Sequence, residues 1–182
     1  MLAPCQHPEA PFAHPPLCLG ISACLLGDPV RYDGGHKNNP LFSGPWAEEI
    51  HFLPFCPEAE CGLGIPREPM RLEGEPDRPT LRTLHSKMDH TNRLQQWCQP
   101  RIRQHREEGV AGYLLKSRSP SCGLTVAVTT QEGATVPGMG LFPRLLLAAT
   151  PSPPMAEGDL IQDAGALSSF LQRVRAYRET LS

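Results

Sequence analysis

The chain has 182 residues, which suffices for one domain of the commonest size with modest extensions but not for two full cores. Its 17 Lys and Arg residues nearly balance its 19 Asp and Glu residues, so a polyanion-binding module of the usual basic type is disfavoured. No apolar run approaches the length of about 18 residues that a membrane-spanning helix requires, so we expect a soluble protein with no membrane partner.

The predicted strands follow a proline-rich start. Residues 1–16 contain five prolines and lack a cationic start followed by an apolar stretch, and we predict a disordered leader there. Four mainly apolar runs then predict strands, the first of which is typical of a strand buried on both faces of a parallel sheet. The runs are residues 17–23, 51–55, 112–116 and 124–130.

The first predicted helix covers residues 89–108. Asp89 or Thr91 is a plausible N-cap, and Gly109 is a typical stop. Pro100 lies inside this segment and is expected to divide or kink the helix, because proline lacks the backbone N–H that the helical hydrogen bond needs.

Two further helices are predicted toward the C-terminus. A short one covers residues 140–149, and a proline-rich linker over residues 150–157 joins it to the last helix. In the last helix, apolar residues recur every seven positions, which predicts a face that covers another surface. These residues are Leu160, Leu167, Val174 and Leu181.

Strands that alternate with helices predict an α/β fold, mainly a parallel sheet flanked by helices, with right-handed crossovers. The layering resembles a Rossmann fold, but the sequence lacks the G-x-G-x-x-G fingerprint of dinucleotide binding. We expect a monomer with one compact domain. Residues 17–150 form its body, and residues 151–182 form a linker and a helix that packs on it.

Three of the seven cysteines, Cys24, Cys56 and Cys122, lie just beyond the carboxyl ends of predicted strands. These ends share one edge of a parallel sheet, where three thiolates could form a metal site with an open position. For Cys18 and Cys98 we prefer the alternative, a small buried core residue. An odd number of cysteines without an export signal argues against a disulfide framework and favours a cytoplasmic protein.

Polar residues accompany these cysteines. Glu58 follows Cys56 by two positions and, in a metal crevice, could take a proton from water, although exposed glutamates are usually only solvated. The loop of residues 119–123 places two serine hydroxyls beside Cys122, although Ser-Pro-Ser is also an ordinary turn. For residues 27–37 the sequence predicts either a lid over the substrate or a polar turn.

Four motifs in this order resemble the TudS family of thiouracil desulfidases. The motifs are Ser22-Ala23-Cys24-Leu25-Leu26-Gly27, Val30-Arg31-Tyr32-Asp33-Gly34-Gly35-His36-Lys37, Cys56-Pro57-Glu58 with Gly62-Leu63 and Pro66-Arg67, and Ser119-Pro120-Ser121-Cys122-Gly123. The resemblance extends from about residue 17 to about residue 177. It implies a compact α/β fold with a catalytic domain that holds a 4Fe-4S cluster through only three cysteines, Cys24, Cys56 and Cys122.

The resemblance further implies an iron-sulfur-dependent hydrolase. Such an enzyme converts C=S to C=O in a small thiolated pyrimidine such as 2-thiouracil and releases hydrogen sulfide without electron transfer. An open iron polarises the C=S bond, while Glu58 deprotonates a water that Ser119 orients, so these two are the implied catalytic residues. We expect Ser121, Asp33 and Lys116 to bind the substrate.

Two alternatives remain open. Cys61 stands where the family usually has a small residue; it could crowd the crevice or act as a fourth ligand. A closed site of that kind would make the protein a non-catalytic zinc or iron-sulfur binding module. The second alternative is desulfuration of thiolated tRNA nucleotides. A slightly acidic chain without an evident RNA-binding appendage favours a free base or nucleoside instead.

Overall fold

The computed structural model describes residues 16–44, 46, 49–148 and 152–181. The leader predicted for residues 1–16 lies outside these ranges apart from Pro16. The strands of the described part are β1 (Leu17–Ser22), β2 (Ile50–Phe55), β3 (Met70–Glu73), β4 (Thr80–Thr83), β5 (Gly112–Leu115), β6 (Val126–Thr129), β7 (Thr135–Gly138) and β8 (Met155–Glu157). Its α-helices are α1 (Thr91–Glu107), α2 (Leu141–Leu147) and α3 (Ala164–Glu179).

A four-stranded parallel sheet with the order β2-β1-β5-β8 forms the centre of the fold. All six residues of β1 are buried, as its apolar run predicts. One face of the sheet packs against α3 through Leu167, Leu171 and neighbouring side chains. On the other face, Phe55 and Tyr113 pack in a core with Leu94 of α1 and with residues of α2. The predicted α/β class, with a parallel sheet flanked by helices, is confirmed.

A second, mixed sheet with the order β4-β3-β6-β7 lies beside the first. The run 124–130, which we expected in the parallel sheet, forms β6 of this second sheet instead. Val126 and Val128 are buried and Ala127 is exposed, so β6 has the alternation of a strand with one covered face. The other three strands have only four residues each, with a weak apolar pattern, and were not predicted from the sequence.

Helix α1 runs through Pro100 without a break, so this proline does not divide the helix, and the other expected effect, a kink, stays a prediction. Pro100 lies on the exposed side, while Leu94 and His105 are buried on either side of it. Burial of these side chains offsets the local cost of the proline, about 3 kcal/mol. The helix ends just before Gly109, which has a φ of 77°, as predicted.

The C-terminal segment differs from the prediction in an additional strand and in the start of the last helix. Residues 155–157, which we placed in a linker, form β8 at the edge of the parallel sheet. Helix α3 begins only at Ala164, because the Asp163 carboxylate caps it by accepting a hydrogen bond from the Ala166 N–H at 2.8 Å. Leu160 precedes the helix and is exposed, whereas Leu167 is buried under it. Among the helices of the described ranges, none has the length and apolar composition to cross a membrane.

A buried histidine makes the stability of this fold depend on pH. Desolvation lowers the pKa of His105 from its usual 6.5 to about 4, and the charge of Arg101 adds to the decrease. The folded state therefore favours neutral His105, and its contribution to stability is present above pH 6.5 and is lost as the pH falls toward 4. The loss amounts to roughly 3 kcal/mol.

We predict that His105→Gln removes most of this acid sensitivity. The measurement is the free energy of unfolding in urea, for the metal-free parent and variant, at several pH values between 7 and 4. Other titrating groups cancel in the difference between the two proteins. Parallel curves for parent and variant would contradict the assignment to His105.

Candidate active site

The carboxyl ends of β1, β2 and β5 meet at one edge of the parallel sheet. Ser22 at the end of β1 pairs with Phe55 at the end of β2, so the residues that follow emerge side by side. Cys24 lies in the short helical turn after β1, Cys56 directly follows β2, and Cys122 lies in the loop after β5. The structure thus brings the three predicted ligands to a single edge.

A cavity of about 530 Å³ opens at this edge. Its lining includes the three cysteines and four of the other five predicted site residues. Those four are Glu58, Lys116, Ser119 and Ser121. The cavity wall also contains several cations, from the loop after β1, from the segment before β3 and from the loop after β5. They are Arg31, Lys37, Arg67 and Arg118.

Cys24 and Cys122 are buried and Cys56 is half-buried, which disfavours the charged forms of their thiols. Desolvation raises the pKa of Cys24 to about 12 and the Cys56 thiol adds to the increase, while the charges of Lys116 and Arg31 oppose it. Burial also raises the pKa of Cys56, and raises that of Cys122 well above its usual value. Metal binding at this edge would therefore displace protons from thiols rather than capture preformed thiolates.

The three cysteines supply soft sulfur ligands of the kind that iron-sulfur clusters use. Among the described residues, no group of three or more His, Cys, Asp or Glu side chains is arranged to hold a single metal ion. In an iron-sulfur cluster each thiolate binds a different iron, so the sulfur atoms are held farther apart. Three cysteines around one cavity match this requirement.

Cys61 is not among the residues that line the cavity. Its thiol donates to the Glu58 carbonyl oxygen at 3.4 Å, and its side chain packs against the core that contains Cys98. The structure therefore supports neither a fourth ligand nor a crowded crevice at this position.

Glu58 is buried, with 7% of the residue exposed, and its charge is paired. The Arg67 guanidinium donates to Oε2 from Nε at 2.9 Å, and Nη2 lies 2.8 Å from the same oxygen. The Ser121 hydroxyl donates to Oε1 at 2.6 Å. Because Ser121 uses its one hydroxyl hydrogen in this bond, the Ser119 hydroxyl must be the donor in the contact between the two serines, whose Oγ atoms lie 2.9 Å apart. The Cys122 N–H donates to Ser119 Oγ at 3.2 Å. A continuous hydrogen-bonded chain thus joins Ser119, Ser121 and Glu58.

Lys116 lines the cavity, but its ammonium group is saturated within the protein. It donates to the carbonyl and hydroxyl oxygens of Ser117 at 2.8 and 3.2 Å and to Asp159 Oδ2 at 2.8 Å. These contacts use all three of its hydrogens, so a role in binding substrate requires one of them to be given up. No role was predicted for Asp159, which lies 43 positions from Lys116 in the chain.

Asp33 is not part of the cavity lining. Its carboxylate accepts a hydrogen bond from the Gly35 N–H at 3.0 Å and lies 3.4 Å from the Arg31 guanidinium. These contacts stabilise the turn at Gly34, so the cavity gives no support to the expected role of Asp33 in binding substrate. Arg67 also contributes to the site, although no role was predicted for it from the Pro66-Arg67 motif.

Comparison with known proteins identifies the family. The sequence model of the 2-thiouracil desulfurase family matches residues 19–158, about three quarters of the chain. The chain belongs to the 2-thiouracil desulfurase family. The resemblance to thiouracil desulfidases stated from the motifs is thereby confirmed, and the matched range contains every predicted site residue.

A solved structure supports the same assignment. The [4Fe-4S]-dependent thiouracil desulfidase TudS is 32% identical to this chain over 84% of it and 99% of TudS, with a TM-score of 0.62. No curated protein matches the chain significantly. Members of the desulfurase family are enzymes, and the cavity at the sheet edge is the candidate active site of this one.

We predict that alanine at Cys24, Cys56 or Cys122 removes most of the iron bound after anaerobic reconstitution, because each thiolate is expected to bind a different iron. The measurement is iron and acid-labile sulfide per folded chain. The control is the double substitution of Cys18 and Cys98, which are buried in the core. If the control loses iron and the single variants keep it, the wrong thiols have been chosen.

Proposed function

We propose that this protein is a thiouracil desulfidase that replaces the sulfur of a thiolated pyrimidine by oxygen and releases hydrogen sulfide. The observation that carries the proposal is one cavity in which three cysteines face the hydrogen-bonded chain of Ser119, Ser121 and Glu58. The family match and the likeness to TudS support it. We further propose that the enzyme is a hydrolase, because water supplies the new oxygen and no electron is transferred.

The cofactor that we propose is a [4Fe-4S] cluster held by Cys24, Cys56 and Cys122. When bound, it would supply a thiophilic Lewis acid at the iron without a cysteine ligand, which makes the carbon of a thiocarbonyl group more electrophilic. The chemistry of the donor set agrees with this, since the cavity presents three soft sulfur ligands and Cys61 lies outside it.

Glu58 is the proposed general base. Its Oε2 is occupied by Arg67, so Oε1 is the oxygen that can take up a proton. A water beside Ser119 could pass its proton to the Ser119 hydroxyl, while Ser119 passes its own to Ser121 and Ser121 to Glu58 Oε1. The water oxygen then bonds to the carbon, and the electron pair of the C=S double bond moves to sulfur. As the C–S bond breaks, the hydroxyl proton on the new C–O group and the proton held by Glu58 both pass to the departing sulfur, so that C=O and hydrogen sulfide are formed. In this scheme Ser121 relays a proton rather than binding substrate.

The size of the cavity fits a small thio-substrate. A volume of about 530 Å³ lies within the usual range for small-molecule sites, about 300–1,000 Å³, and accommodates a free base or a nucleoside. We therefore propose a small thiolated pyrimidine as substrate rather than tRNA. A monomeric enzyme in the cytoplasm is a separate proposal, carried over from the sequence and independent of the cavity.

The decisive experiment is anaerobic reconstitution with iron and sulfide, followed by incubation with 2-thiouracil. We expect a brown protein with broad visible absorption that forms uracil and hydrogen sulfide in equal amounts. A colourless protein with bound zinc would support the binding module instead. A fully loaded brown protein that leaves thiouracil and other thiolated pyrimidines unchanged would contradict the proposed function.

We predict that Glu58→Gln keeps the cluster and lowers turnover by about 10²–10⁴-fold, the usual contribution of a positioned general base. Glutamine preserves size, and its single amide oxygen can still accept from Arg67 while its NH2 group donates to Ser121 Oγ, but it cannot take up the proton. The measurements are iron content and hydrogen sulfide release under saturating substrate.

The matched control is Glu68→Gln. Glu68 accepts hydrogen bonds from the Ser86 hydroxyl and backbone N–H and does not line the cavity, so its variant should turn over like the parent. Equal turnover in Glu58→Gln and the parent would remove Glu58 from the mechanism. Loss of iron together with activity would make Glu58 a residue that holds the cluster.

A further inference from the structure

The Arg67 guanidinium joins two segments of the cavity wall, at Val30 and Glu58, to the turn at Gly64 outside it. Besides the Glu58 carboxylate, Nη1 donates to the carbonyl oxygens of Val30 at 3.0 Å and Gly64 at 3.1 Å. The backbone N–H of Arg67 donates to the Tyr32 carbonyl at 2.8 Å. Only 7% of the Arg67 side chain is exposed, and its bonds to Glu58 and Val30 are partly buried, whereas the bond to Gly64 is exposed to solvent.

Both guanidinium nitrogens that face Glu58 contact the same carboxylate oxygen. Nε and Nη2 lie 2.9 and 2.8 Å from Oε2, and the Ser121 hydroxyl contacts Oε1. With Oε2 fixed on one side, the carboxylate cannot rotate without breaking both contacts. Oε1 is thereby directed at the serine chain.

The same guanidinium fixes the backbone beside the second cysteine. The Val30 carbonyl that accepts from Nη1 also lies 3.7 Å from Cys56 Sγ. Arg31 and Tyr32, which follow Val30, form part of the cavity wall. One side chain therefore determines the position of Glu58 and of the loop that covers Cys56.

We propose that Arg67 is a positioning residue that aligns the Glu58 carboxylate for proton transfer and holds the Val30 carbonyl against Cys56. The first part rests on the function proposed above, and the second does not. Lysine cannot replace arginine in both tasks, because its three hydrogens radiate from one nitrogen, whereas the planar guanidinium donates in several fixed directions.

The test compares Arg67→Lys with Arg93→Lys. Arg93 donates to the carbonyl oxygens of Cys61 and Gly62 at 2.7 and 2.8 Å, so it holds the stretch after Glu58 without touching that carboxylate. We expect Arg67→Lys to lower kcat by about 10²-fold, the cost of a misplacement near 1 Å. KM and iron content should stay within a factor of about three, because substrate binding and the cysteines are retained. Arg93→Lys should retain parental kcat.

Two further readouts separate positioning from a merely structural role. In the Glu58→Gln background, Arg67→Lys should lower kcat by no more than about twofold, since the group that it aligns is already disabled. In the metal-free protein, Arg67→Lys should raise the rate at which Cys56 is alkylated, measured by peptide mass spectrometry, while the rate for Cys24 stays unchanged.

A parental kcat in Arg67→Lys would overturn the alignment of Glu58, and so would a full 10²-fold loss repeated in the Glu58→Gln background. An unchanged alkylation rate at Cys56 would overturn the role of the Val30 carbonyl. Failure of the proposed function has a different signature, a loaded parent enzyme that releases no hydrogen sulfide. The alkylation result stands in either case.

Discussion

The parallel register of β1 with β2 and β5 is the constraint on which the site depends. It places three consecutive strand ends, and so three cysteines far apart in sequence, at one edge. Side chains pack closely against the backbones of β1 and β5. A Cβ on Gly20 of β1 would lie 2.5 Å from the Tyr113 ring, and a Cβ on Gly112 of β5 would lie 2.7 Å from Val174 of α3. The glycines at these two positions therefore contribute to the site although neither lines it.

Charge pairing connects the site to the rest of the fold. A buried carboxylate or ammonium group is costly unless it is paired and hydrogen-bonded. Glu58 obtains its partner from Arg67 and Lys116 obtains its own from Asp159, which follows β8. Each pair joins a loop at the sheet edge to a segment later in the chain. Asp159, which follows the edge strand β8, thereby holds Lys116 in the cavity wall. It also holds Ser117, because its carboxylate accepts hydrogen bonds from the Ser117 N–H and hydroxyl.

The sequence predicted what depends on local pattern. The buried run before Cys24 and the chain positions of Cys56 and Cys122 were sufficient to predict one shared edge, because parallel strands end together. Arg67 and Asp159 were not predicted as partners, because a pairing between distant residues depends on the path of loops that carry no periodic signal. Strand β8 was missed for a similar reason, since its three residues follow prolines and are only half-buried.

Cys61 shows how backbone geometry decides the chemistry of a side chain. From sequence, a fourth cysteine three positions after Glu58 could close the metal site. In the structure, residues Ala59–Leu63 form a wide helical turn in which Gly62 has a φ of 86°, a conformation that favours glycine. This turn packs beside α1, and a Cβ on Gly62 would lie 2.7 Å from Arg93 Nη2. The Cys61 side chain accordingly packs with the core around Cys98 and not in the cavity. Three cysteines remain at the cavity, which is the number that leaves one iron of a four-iron cluster free for a substrate.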